Sequence, residues 1–285
     1  MYTIISPSKT QDFEREVTLS RQVTKLGTIP EWNKQTKSLA TILKTFKPEM
    51  LYGMMNISAN LAELNFGRFK KWNGAYNKNK NTVAPAIIAF QGDVYKGFDL
   101  ENWKIRDYKY AHKHLGILSG FYGLISPLNY IQPYRLEMGT RISFAIKDKN
   151  NSGKYKNLYD FWRALLTDKI INILKQERVL INLASVEYSK VLDRNKLREA
   201  MGNKGQIIDV DFKSLKINKK TGKQEEKVIA IYAKRARSLM ANWIITNNPK
   251  SLKELESFRS DNWRFKEWSK ADKLGNKRAL FVKKC

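Results

Sequence analysis

The chain has 285 residues, 42% of them hydrophobic, so it is long and apolar enough for one large α/β domain or two average ones, and wholesale disorder is excluded. Lys and Arg total 53 against 27 acidic residues; the net charge of +26 favours a polyanionic partner, although 38 of the cations are Lys, which a lysine-rich proteome raises without selecting for any ligand. One cysteine, Cys285, excludes a disulfide scaffold or a cysteine-built zinc site, and two histidines, His112 and His114, are too few for a His triad.

The start Met1-Tyr-Thr-Ile-Ile-Ser-Pro lacks the basic n-region and long apolar h-region of a signal peptide. No apolar stretch approaches the roughly 18 residues of a membrane span, so the chain reads as soluble and cytoplasmic, with no membrane partner. Tyr2–Ile5 predicts a buried strand opened into a loop by Ser6-Pro7. From Glu31 to Trp72 the pattern is helical: Leu39, Ile42, Leu43 and Phe46 share one helix, Pro48 breaks it or starts the next, and Leu61, Leu64, Phe66 and Phe69 carry another.

Residues 73–81 are polar and predict a surface loop. Ala86–Phe90 predicts a strand, and Tyr108–Leu118 a helix ended by Ser119-Gly120, after which Pro127 and Pro133 keep the chain irregular. Phe161, Trp162, Leu165, Leu166, Ile170, Ile173 and Leu174 form the clearest amphipathic helix. Val179–Leu183 predicts a strand. Ile207–Phe212, the region around Ile217 and Lys227–Tyr232 predict a β-meander turned by Lys219-Lys220-Thr221-Gly222. A helix from about Ala233 to Thr246 follows, with Leu239, Met240, Trp243 and Ile244 on its apolar side. No internal repeat is present. Strands and helices alternate imperfectly, which predicts an α/β fold with a mixed sheet surrounded by helices rather than a clean doubly wound one.

Three groups of residues carry candidate chemistry. Lys234, Arg235 and Arg237 fall in the first turn of a helix that begins near Ala233, where each cation opposes the macrodipole by about 0.3–1 kcal/mol unless an anion is bound. The alternative is a solvated basic face with a different helix start. Met55-Asn56-Ile57-Ser58 joins two helices, the second ending in Arg68-Phe69-Lys70-Lys71-Trp72. That spacing is similar to a helix-hairpin-helix element (about residues 38–72), which grips phosphates through backbone N–H groups, but Asn56 and Ser58 stand where glycines are usual, and an ordinary αα-hairpin remains the alternative.

Lys9, Asp93, Tyr95, Arg135, Glu137 and Glu187 follow strands or occupy a proline-bounded loop, and together offer acid–base groups with two cations to hold an anion. Their alternative is a set of buried ion pairs holding irregular loops. His112 and His114 lie two apart and make a poor metal pair, so no metal site is expected. Neither GxxxxGK[ST] nor GxGxxG occurs, so no cofactor is expected.

Ile5-Ser-Pro-Ser-Lys-Thr10, Ala89-Phe-Gln-Gly-Asp-Val-Tyr95, Leu118-Ser-Gly-Phe-Tyr-Gly123 and Gln132-Pro-Tyr-Arg-Leu-Glu-Met-Gly139 resemble the motifs of the YaaA family of peroxide-stress proteins. So do Leu158-Tyr-Asp-Phe-Trp162, Asn182-Leu-Ala-Ser-Val-Glu-Tyr188 and Tyr232-Ala-Lys-Arg-Ala-Arg237, in the family's order and over most of the chain. The resemblance implies a cytosolic protein of the bacterial hydrogen peroxide response, associated with limiting intracellular iron and protecting DNA. It also implies a compact α/β fold with a positively charged cleft, a helix-hairpin-helix-like element and DNA binding, and attaches no settled reaction. The sequence departs from the family in its polar 144–156 loop and its basic 213–227 turn. Residues 213–237 hold nine Lys or Arg and two Glu, and 261–285, read as a basic tail, hold eight basic and three acidic residues.

Taken together, the residues and the resemblance predict a single domain over 1–285 that binds double-stranded DNA through its phosphates with little base readout, and no obligatory protein partner is evident. The predicted DNA contacts are Asn56, Ser58, Arg68, Lys70, Lys71, Lys234, Arg235 and Arg237. The competing expectation is an enzyme acting on a nucleic acid or nucleotide-like anion in the Lys/Asp/Arg/Glu cleft.

Overall fold

The computed structural model describes residues 1–76, 82–146, 153–202, 205–217, 222–273 and 275–284. The first half runs β1 (Tyr2–Ile5), α1 (Ser20–Lys25), α2 (Asn33–Leu43), α3 (Pro48–Met55), α4 (Ala59–Lys71), β2 (Ala84–Pro85), α5 (Ala86–Ala89) and α6 (Ile105–His114). Then come β3 (Leu115–Ser119), β4 (Gly123–Ile125), β5 (Tyr130–Ile131), β6 (Phe144–Ile146), β7 (Gly153–Tyr155), α7 (Leu158–Glu177) and β8 (Val179–Asn182). The chain closes with α8 (Val186–Ser189), α9 (Arg194–Met201), β9 (Gln206–Ile217), β10 (Gln224–Lys227), α10 (Ala230–Asn247), α11 (Leu252–Leu255), β11 (Arg259–Ser260), β12 (Trp263–Trp268) and β13 (Lys277–Lys284).

Among the described residues, nine strands form one mixed sheet in the order β11-β12-β13-β9-β8-β1-β3-β4, with β10 joined to β9. The block β13-β9-β8-β1-β3 is parallel. β4, β10 and β12 pair antiparallel at its flanks. β1 is buried at every residue, as expected of a central strand covered on both faces. β3 passes so close to it that a Cβ on Gly116 would stand 2.6 Å from the Tyr2 hydroxyl, which leaves room only for glycine.

The expected Tyr2–Ile5 strand, the helices on either side of Pro48 and the long helix around Trp162 are all present. α7 starts where the Asn157 side chain accepts the Asp160 N–H at 2.9 Å, and its buried Trp162 donates from Nε1 to the Gly120 carbonyl at 2.9 Å. Five expectations are corrected. Ala86–Phe90 is a one-turn helix, not a strand, closed by Phe90 N–H to Ala86 O at 3.0 Å; a short apolar run that is buried throughout carries no periodicity to separate the two.

The helix expected over Tyr108–Leu118 ends at His114, and Leu115–Ser119 pairs with β1 as a strand. The expected three-part meander is one 12-residue strand, β9, with β10 as its hairpin partner, and Lys227 ends β10 before a helix. Residues 219–221 of its turn, 77–81 of the polar loop and 147–152 of the longer one lie outside the described residues. Finally, α10 begins at Ala230 because Ala233 and Ala236 continue its buried face backwards. Residues 261–285, read as a tail, supply β12 and β13, and β13 pairs with β9 over eight positions.

The topology marks a place for a site. From β1 the chain crosses to β3 on one side and later returns through α7 to β8 on the other side of β1. Strand order reverses at β1, and the C-terminal ends of β1, β3 and β8 on either side of it are where open α/β sheets bind ligands.

Candidate functional site

The three strand ends are tied together by short polar side chains. Ser6 Oγ accepts the Ser185 N–H at 2.9 Å, which clasps the exits of β1 and β8. Ser119, at the end of β3, accepts the Phe121 and Tyr122 N–H groups and bonds the Tyr134 hydroxyl at 2.8 Å, which brings the 132–140 loop to the same end of the sheet. That loop is held further by Tyr134 N–H to Gln11 Oε1 at 3.1 Å and by the Gln132 amide donating to Asn73 Oδ1 at 2.8 Å.

On this loop, Glu137 bridges two cations. Lys9 Nζ lies 2.5 Å from one carboxylate oxygen and Arg135 Nη2 3.1 Å from the other. Lys9 is exposed, whereas the Arg135 side chain is 16% exposed and its Nε is buried with no partner among the described residues. One carboxylate against two cations leaves a positive surplus beside a group able to move a proton.

The other cleft residues divide. Glu187 accepts the Gly139 N–H at 3.0 Å and, through its backbone carbonyl, the Tyr159 hydroxyl at 2.8 Å, so it fixes the loop that carries Glu137. Tyr95 lies beneath, buried, and donates its phenol proton to the Ser6 carbonyl at 3.2 Å. Burial pushes that phenol well above its ordinary pKa, with Tyr134 and Tyr188 adding to the shift, so Tyr95 supports the β1 exit as a neutral group. Asp93 forms a surface pair with Lys96 at 3.2 Å and makes no hydrogen bond or ion pair to Glu137.

α3 and α4 form an αα-hairpin. Asn56 ends α3 in the left-handed region (φ 49°), where glycine is the commoner choice, and Asn is tolerated there. Ser58 caps α4 by accepting the Leu61 N–H at 3.4 Å. Ser58→Ala is expected to cost about 0.5–2 kcal/mol. Chemical denaturation reads that cost; an unchanged midpoint would show that the hydroxyl is not a cap.

Arg68, on α4, is half-buried with its Nη1 3.4 Å from Asn65 Oδ1. Burial lowers its pKa, and the like charge of Arg135, from a distant segment of the chain, lowers it further. Arg68 and Lys71 also line a cavity of about 530 Å3 walled by Leu64, Trp72, Val83 and Pro133. Lys70 is exposed, its ammonium 5.4 Å from the Phe66 ring centre.

On α10 the three basic residues separate. Because the helix begins at Ala230, Lys234, Arg235 and Arg237 sit in its second turn, beyond the reach of the N-terminal dipole argument. Lys234 and Arg235 are exposed, while Arg237 turns into the molecule with its Nε buried and unpartnered among the described residues. Of the histidines, His114 places Nδ1 3.1 Å from Glu177 and stacks on Tyr110 at 4.2 Å. No group of three or more His, Cys, Asp or Glu is placed to hold a metal ion among the described residues. Among the described residues, no helix is long and apolar enough to cross a membrane.

A second polar concavity escaped the sequence. Arg194 makes a two-pronged bond to Asp209 at 2.6 and 2.8 Å, Asn182 donates to the same carboxylate at 2.6 Å, and Arg278 pairs with Asp211 at 3.1 Å. Burial opposes ionisation of Asp209, but Arg194 and Asn182 outweigh it and hold the carboxyl below its ordinary pKa. The legible signal was Asp209 and Asp211 two apart on one face of a strand whose other face, Val210 and Phe212, is buried.

A family model described as peroxide stress protein YaaA matches residues 1–269. The chain is 38% identical over 265 residues to a UPF0246 protein of Acaryochloris marina, covering 93% of this chain and 94% of that one. It is 38% identical over 265 residues to a UPF0246 protein of Marinomonas sp., covering 93% and 92%. Over 277 residues it is 36% identical to a UPF0246 protein of Legionella pneumophila, covering 96% and 98%.

Proposed function

The chain belongs to the peroxide stress protein YaaA family, and from that membership and the geometry above we propose that it serves the peroxide stress response as a cytoplasmic protein that binds duplex DNA through its phosphates. The observation that carries this reading is Arg135, a largely buried guanidinium whose Nε has no partner among the described residues and which shares its one carboxylate, Glu137, with Lys9. Two cations on one carboxylate leave a positive surplus, to which the half-buried Arg68 adds, and a phosphate would accept from these guanidinium groups. Lys9 adds positive charge beside Glu137 and Arg135, Lys70 and Lys71 add it on the helix of Arg68, and the backbone at Asn56–Ser58 is proposed to offer further contacts. Lys234 and Arg235 add exposed charge.

Phosphate contacts fix position on the duplex without reading sequence. Competition by unlabelled DNA tests this. A duplex of unrelated sequence should displace a fluorescent duplex as well as the identical one does, with a dissociation constant of about 10⁻⁴–10⁻⁶ M at physiological salt. Absence of binding in that range, or a preference of ~10³-fold for one sequence, contradicts it. The reading includes the link to protection from DNA damage and lowering of intracellular free iron that the family resemblance implies.

Glu137 favours a second reading, an enzyme acting on a nucleic acid or nucleotide-like anion. It sits at the strand ends between Lys9 and Arg135, as an acid–base group beside bound phosphate would. That reading expects Glu137→Gln to abolish protection from peroxide in cells while DNA affinity stays within about twofold. Full protection by the variant removes the enzymatic reading and leaves the binding one standing.

A further inference from the structure

The parallel sheet has a gap. One edge of β9 is taken by β13 from Ile208 to Leu215. The opposite edge is covered by β8 only as far as Asp209 and by β10 only from Ser214 onwards. Neither strand flanks residues 210–213, because β8 leaves the sheet at Asn182 before β10 arrives. A polar cavity of about 540 Å3 opens at this gap, within the roughly 300–1,000 Å3 of small-molecule sites.

Its charge is unbalanced. Asp209 is neutralised by Arg194 and Asp211 by Arg278. Arg163, Lys190 and Arg237 also line the cavity, and none of them forms an ion pair with a described residue. They come from three elements: α7, the turn after α8, and α10. Asp193, the remaining acid in the wall, caps α9 by accepting the Lys196 N–H at 3.1 Å. Lys190 holds its ammonium 4.5 Å from the Tyr159 ring centre, which keeps it over the rim.

Arg237 is the informative member. Its Nε is buried with no partner among the described residues, and burial lowers its pKa despite the opposing charge of Asp211, which Arg278 already pairs, so a bound anion would offset the remaining cost. We propose that this cavity is an anion site for a small phosphorylated molecule, its phosphate groups held by Arg163, Lys190 and Arg237. The site is separate from Lys9, Arg135 and Arg68 and does not depend on the DNA-binding reading. Phosphate esters arise from DNA as well as from free metabolites, but a concavity enclosed by side chains of α7, α9, α10, β9 and β13 favours the free molecule.

Inorganic pyrophosphate and adenosine monophosphate are suitable probes for calorimetry on the full chain, against sodium chloride of equal ionic strength. Saturable binding of one molecule per chain is expected, weakened about tenfold or more in Arg237→Gln. The exposed rim is tested separately by Arg163→Gln/Lys190→Gln, which keeps the core intact if Arg237→Gln does not fold. It should weaken the probe by a similar factor while leaving the salt dependence of duplex affinity unchanged. No saturable binding, or binding equal to wild type in the rim variant, overturns the proposal. Displacement of the probe by a short duplex, with matching loss of duplex affinity in the rim variant, would assign these cations to DNA and overturn it as well.

Discussion

Truncation after Ser260 is expected to abolish cooperative unfolding. The sequence read residues 261–285 as a charged tail, but they carry Trp263 and Phe281, exposed by 1% and 0%, into the core. Trp263 packs edge-on against Phe212 at 5.1 Å, and Phe281 contacts Phe212, Phe258 and Phe265 at 5.5–5.7 Å. Losing a buried Phe or Trp side chain costs about 3–5 kcal/mol, and two together match much of the roughly 5–15 kcal/mol that holds an ordinary domain. The backbone of β9 would also lose its β13 partner along eight positions. Far-UV circular dichroism during heating reads this directly, and Phe281→Ala gives the graded version, about 3–5 kcal/mol by denaturant titration. A truncated chain with an unshifted melting transition would contradict the packing described here.

Affinity for duplex DNA is expected to fall about 10³–10⁵-fold between 50 and 200 mM salt, if six to ten phosphates are engaged. The basis is counterion release: each neutralised phosphate contributes about 0.9 to the slope of log affinity against log salt. With a net charge of +26 the chain carries ample cations for this. A flat response from 50 to 200 mM would mean that the charge serves only solvation.

How much was legible depended on how local each signal was. Tyr2–Ile5, the Pro48 break and the Trp162 helix follow from apolar spacing and proline geometry, which need no tertiary context. Leu115–Leu118 was misread because its apolar residues continue the α6 pattern; only pairing with β1 makes them a strand. The start of α10 was misplaced because the exposed Ile231 and Tyr232 resemble strand residues, while Ala233 and Ala236 are too small to announce a buried face. Three of the cleft residues, Lys9, Arg135 and Glu137, were found as motif residues and do meet, since the strand ends converge where the order reverses. Asp93 was read from a motif in the same way but pairs with Lys96 instead. The Asp209–Arg194 cluster joins segments 15 residues apart across a crossover, a contact that periodicity does not encode.

The salt slope of duplex affinity in Arg68→Gln/Arg135→Gln tests the central claim most directly. Circular dichroism first establishes that the variant keeps the wild-type fold. Loss of one or two phosphate contacts predicts a slope shallower by about 0.9–1.8 units, with weaker binding at every salt concentration. A wild-type slope and affinity in the folded variant would contradict the assignment of phosphate contacts to these two guanidinium groups.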